Sequence, residues 1–87
     1  MNDLSLRIRE IIADVIVGCP MSPEEMTPVT RLRDELGADS LDEVEISIEI
    51  EEKLGVALAD EFLDEVKTVG DFIAGTDALL IAKAMST

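Results

Sequence analysis

Ser40 is the residue of this 87-residue chain whose chemistry is most readily used. It is a hydroxyl with an acid on either side, Asp39 and Asp42, at what the pattern makes the start of a helix. A serine there most often does no more than cap the helix. Its company gives it a second use: the positive end of the helix dipole favours an attached phosphate, and the neighbouring carboxylates suit a metal or a basic enzyme held beside the hydroxyl. Such a serine is placed to be modified. It is poorly placed to catalyse, because the chain has no histidine, so a Ser-His-Asp or Cys-His arrangement lacks its base and the commonest zinc ligand is missing. Paired carboxylates abound, but general acid and base need an enclosed, differentiated site. Cys19, the only cysteine, lies between Gly18 and Pro20 with no neighbouring base and reads as a packing residue. No Gly-rich phosphate loop or calcium loop is present, so neither an enzyme nor a metal site is expected.

The elements that must position Ser40 are helical. Leu4, Ile8, Ile11, Ile12, Val15 and Ile16 recur on one face of a first helix, which Gly18 and Pro20 stop. A punctuated loop of about 20 residues follows, pinned to the core by Met21, Met26, Val29 and Leu32, with Leu36-Gly37 as a tight turn. Asp39-Ser40 supplies a capping pair for the second helix, from Ser40 to Leu54, and Glu43 completes a capping box with Ser40. Asp60 to Val66 makes a short helix with Phe62, Leu63 and Val66 inward. Thr68-Val69-Gly70-Asp71 opens the last one, whose face continues through Phe72, Ile73, Thr76 and Leu80 and whose middle Gly75 weakens. The expected architecture is all-α: one domain over 1–87, a small bundle of three longer helices plus one short, with 76–87 extending the last helix.

Twenty acidic and seven basic side chains give a net charge of −13, while 47% of the residues are apolar. That combination describes a folded acidic domain and not a disordered tail. The charge is not spread evenly. Residues 34–65 hold 13 acids and only Lys53, a local balance of −12. On a helical projection Asp42, Glu45, Glu49 and Glu52 form one ridge, with Ile46 and Ile50 on one side and Leu41, Val44 and Ile48 roughly opposite. A helix with two apolar stripes meets two surfaces: the core, and a neighbouring helix, an apolar ligand or a partner. The sign of the charge and the scarcity of aromatics exclude nucleic acid as a partner. No basic start or long apolar run indicates a signal peptide or membrane insertion. A monomer in the reducing cytoplasm is expected.

Leu36-Gly37-Ala38-Asp39-Ser40-Leu41-Asp42-Glu43-Val44-Glu45 resembles the modification motif of acyl carrier proteins. Glu51-Glu52-Lys53-Leu54-Gly55-Val56 is similar to the end of that family's second helix, and Thr68-Val69-Gly70-Asp71-Phe72 to the start of its last. The resemblance implies that Ser40 receives 4′-phosphopantetheine from coenzyme A through a separate phosphopantetheinyl transferase. The arm would then carry acyl groups as thioesters in fatty-acid, polyketide or other lipid biosynthesis, and the protein itself would catalyse nothing. It also implies that Asp39, Asp42, Glu45, Glu49 and Glu52 meet basic patches on acyl-transferring, condensing and modifying enzymes, and that Leu41, Val44 and Ile48 contact those partners near the arm or line part of the acyl pocket. Ile46, Ile50, Phe62, Leu63 and Val66 would be acyl-pocket residues. Two alternatives stand beside this reading: a peptidyl or aminoacyl carrier, disfavoured by the lack of a Gly-Gly pair before Ser40, and an unmodified acidic docking adaptor.

Overall fold

In a computed structural model that describes residues 3–86, the apolar periodicity of the first segment becomes α1 (Asp3–Val15), which buries Ile8, Ile11 and Ile12 and packs against α2 (Ser40–Leu54) and α4 (Val69–Met85). The short α3 (Asp60–Glu65) completes the order. Residues 1, 2 and 87, part of the expected domain and tail, lie outside the described residues. No strand occurs among the described residues, and no helix there is long and apolar enough to cross a membrane. Ile8, Ile12, Leu32, Leu36, Ile46, Ile50, Val69 and Phe72 form the most deeply buried part of the core. Each such side chain contributes about 1.5–3 kcal/mol by leaving water. Phe72 meets Phe62 edge to face, with ring centroids 5.8 Å apart.

Between α1 and α2 the chain is held mainly by its backbone. A 3-10 turn at Pro23–Glu25 packs against α1, and Met26 and Leu32 are buried with Met21 half-buried. Val29 departs from expectation: it is exposed. The segment around it is fixed by main-chain hydrogen bonds, Gly70 N to Pro28 O, Val69 N to Thr30 O and Leu32 N to Lys67 O, each 2.9 Å, so the Val29 side chain is not needed as an anchor. Gly37, at φ +77°, makes the expected turn before α2.

The start of α2 differs in detail from the sequence expectation. Asp39, in extended conformation, is the cap: its Oδ1 accepts from Asp42 N at 2.9 Å, and Asp42 Oδ2 accepts from Asp39 N at 3.1 Å. The capping box therefore joins Asp39 to Asp42, not Ser40 to Glu43. Ser40 is instead the first helical residue and Glu43 turns inward. Both Asp and Ser cap well, and the frame shifts by one because Asp39 has the non-helical backbone that a cap requires. At α4 the Thr68 and Asp71 box forms as expected. Gly55, in left-handed conformation, ends α2.

Two glycines of α4 are required for space. A Cβ on Gly75 would lie 2.5 Å from the Phe62 ring, so this residue admits Phe62 and is more than a weak point of the helix. At Gly70 a Cβ would lie 2.6 Å from the Pro28 carbonyl oxygen, a backbone atom that cannot step aside. Gly70→Ala is therefore expected to cost about 1–3 kcal/mol, read as a lower urea midpoint by far-ultraviolet circular dichroism. A second pair of variants checks the cap. Asp39→Ala is expected to cost about 1 kcal/mol, and Ser40→Ala to stay within about 0.5 kcal/mol of wild type; a reversed order would return the cap to Ser40.

Candidate functional site

Ser40 projects from the first turn of α2 and is exposed. Because Asp39 and Asp42 satisfy the cap between them, the Ser40 hydroxyl is left without a hydrogen bond among the described residues. It is an uncommitted hydroxyl at the positive end of a 15-residue helix.

The rest of α2 sorts by face. Ile46 and Ile50 are wholly buried, while Leu41, Val44 and Ile48 point to solvent with exposures of 70%, 42% and 45%. The second apolar stripe is thus left partly open to solvent among the described residues. Along the ridge Glu45 and Glu52 are exposed, Glu49 is half-buried and pairs with Lys53 at 3.3 Å, and Asp42 is engaged in the cap. Val15 and Asp14 of α1 line a shallow groove with Glu45, Ile48 and Glu49, so three of the expected docking residues share one surface.

Among the residues expected to line an acyl pocket, Phe62 and Val66 border a groove of about 390 Å³ together with Glu65, Asp71, Ala74 and Gly75. Leu63 is half-buried against the core, and Ile46 and Ile50 lie inside it. The groove is formed by α3, the residue that ends it, and α4.

One feature of the site went unrecognised in the sequence. The Glu43 side chain is 3% exposed and accepts two hydrogen bonds from Arg33, Nε to Oε2 at 3.1 Å and Nη2 to Oε1 at 3.0 Å. This two-pronged pair fastens the loop before α2 to the first turn of α2. Arg33 holds its proton more firmly than an ordinary arginine, first because it hydrogen bonds to Glu43, then through the charge of Glu43, with Asp39 adding a smaller contribution and desolvation opposing. A signal was available: Glu43 lies three and seven residues before Ile46 and Ile50, on the face that those residues bury. Below it, Ser47 is also buried and satisfies itself on the Val44 carbonyl at 2.7 Å.

The arrangement offers an exposed hydroxyl on a rigid helix terminus, beside an apolar stripe and carboxylates. It can accept a covalent group and be recognised by a basic surface, and it fits a phosphodiester-linked arm on the serine. A family model described as a phosphopantetheine attachment site matches residues 6–75, a span that includes Ser40, α2 and α3 and reaches into α4. The chain therefore belongs to the phosphopantetheine-attachment family of carrier domains, whose cofactor is covalently attached 4′-phosphopantetheine.

Proposed function

We propose that Ser40 is the attachment point of the arm and that this chain carries acyl groups for fatty-acid, polyketide or other lipid biosynthesis without catalysing a step itself. The observation that carries the reading is the division of labour at the start of α2, where Asp39 caps the helix and Ser40 stays exposed and uncommitted. The arm supplies a terminal thiol that holds acyl cargo as a thioester. For this chain the chemistry is brief: the Ser40 oxygen becomes one ester of a phosphodiester, and its proton passes to a base that the transferase provides. A reducing cytoplasm suits a carrier whose working group is a thiol.

Docking follows from the same helix. Leu41, Val44 and Ile48 give a partner an apolar contact, and Glu45 and Glu52 give it charge at the rim. Exposed rim charges act chiefly on encounter and orientation. Phe62 and Val66, at the groove between α3 and α4, are the candidates for contact with cargo.

Incubating the apo protein with coenzyme A, magnesium and a broad-specificity phosphopantetheinyl transferase is expected to add the mass of one arm, and Ser40→Ala to add none. Folded apo protein that gains no mass would sink the reading. Glu45→Gln combined with Glu52→Gln is expected to raise the KM of the transferase several-fold at low salt, an effect that fades as salt is added, with folding stability unchanged or slightly higher. An unaltered KM would reduce the ridge to a solvated face.

A further inference from the structure

A phosphodiester on Ser40 places a new negative charge in the most acidic part of the chain, beside Asp39 and Asp42 and within one turn of Glu43. Like charges at such spacing repel. Among the seven basic residues, most are committed elsewhere. Arg31 pairs with Asp34 at 3.2 Å and Lys53 with Glu49, while Lys83 donates to Gly55 O, Arg7 to Lys53 O and Arg9 to Ser5 and Pro23. Lys67 borders a groove with Arg33, but among the described residues its side chain makes no hydrogen bond or ion pair with α2.

Arg33 is different in two respects. Its Nε and Nη2 are fixed on Glu43, which is three residues from Ser40, about 4.5 Å along the helix axis. Its third nitrogen, Nη1, has no hydrogen-bond partner among the described residues, and the side chain is 61% exposed. A buried carboxylate thus holds a guanidinium by one edge and leaves the other edge open, and the residue that holds it stands one helical turn from Ser40. The influence of Asp39 on Arg33 indicates that the cation also senses the acid preceding Ser40.

We propose that Arg33, braced by Glu43, is the positioning residue for the phosphodiester on Ser40: Nη1 donates to a phosphate oxygen and offsets the charge that the flanking acids repel. This rests on Ser40 being the attachment point. A guanidinium suits the task because its planar fork can serve a carboxylate on one edge and a phosphate on the other. The arm would accordingly leave the protein with its first bonds oriented, and not swing freely from the serine.

The test compares apo and modified forms of wild type, Arg33→Met and Arg33→Lys by urea unfolding. Modification is expected to lower the folding equilibrium constant of Arg33→Met about threefold more than that of wild type, with Arg33→Lys between them. If Arg33 only braces the loop, the substitution weakens apo and modified forms equally, and that absence of coupling overturns the proposal. Should Arg33→Met fail to fold, the Arg33 Nε–H resonance of wild type decides: it is expected to shift on modification, and an unchanged resonance overturns the proposal. A wild-type protein that gains no mass overturns the attachment reading as well; a mass gain without coupling overturns this inference alone.

Discussion

Three main-chain hydrogen bonds between residues 28–32 and 67–70 hold the geometry of this molecule together. Residues 16–39 would otherwise be a long connection holding no helix longer than one 3-10 turn, the kind of segment that rarely stays ordered in a small domain. An isolated antiparallel bridge between Arg31 and Thr68 marks the same clasp. Thr68 also caps α4, so one short stretch both starts a helix and secures the loop. From there order propagates forward. Leu32 accepts from Ala38 N at 2.9 Å, Arg33 grips Glu43, and Asp39 and Ser40 inherit a defined place at the end of a fixed segment. Gly70 is what lets the two backbones come close enough.

Net charge looks like a burden that a core this small must overcome, but much of it is placed where it helps. Asp39, Asp42, Asp60, Glu61 and Asp71 lie at or in the first turns of helices, where the dipole favours anions and free N–H groups need acceptors. Glu25 closes the box of the 3-10 turn, and Glu43 is matched by Arg33. The carboxylates left without such a task include Glu45 and Glu52, on the face of α2 that carries Leu41, Val44 and Ile48. The structure thus separates acids that build helices from acids that face solvent.

The helices were legible because their signals are local. Isoleucines at helical spacing specify α1 and the inner face of α2, and Thr68 with Asp71 specifies the start of α4. The place of Ser40 at the mouth of α2 was legible for the same reason. What escaped depends on contacts between distant parts of the chain. The cap frame at Asp39 and Ser40 turns on one backbone dihedral, which residue types with similar capping preference cannot reveal. Glu43 has the right type and spacing for a capping box, and only the packing of the loop shows that Arg33, ten residues earlier, claims it. Val29 is apolar and would serve as an anchor if the backbone beside it did not already do so. Gly75 looks like a helix defect until Phe62 is laid against it.

The long last helix gives the molecule a direction. Lys83, near the end of α4, donates to the Gly55 carbonyl at the far terminus of α2, at 3.2 Å, while Ser40 occupies the near terminus. Fifteen residues of helix separate those ends, about 22 Å. The exposed final turn of α4, with Ile81 and Met85, therefore sits toward the pole opposite the serine. A body resting on that turn and a body resting on Ser40 approach the bundle from opposite ends, so contact at one pole leaves the other open to solvent.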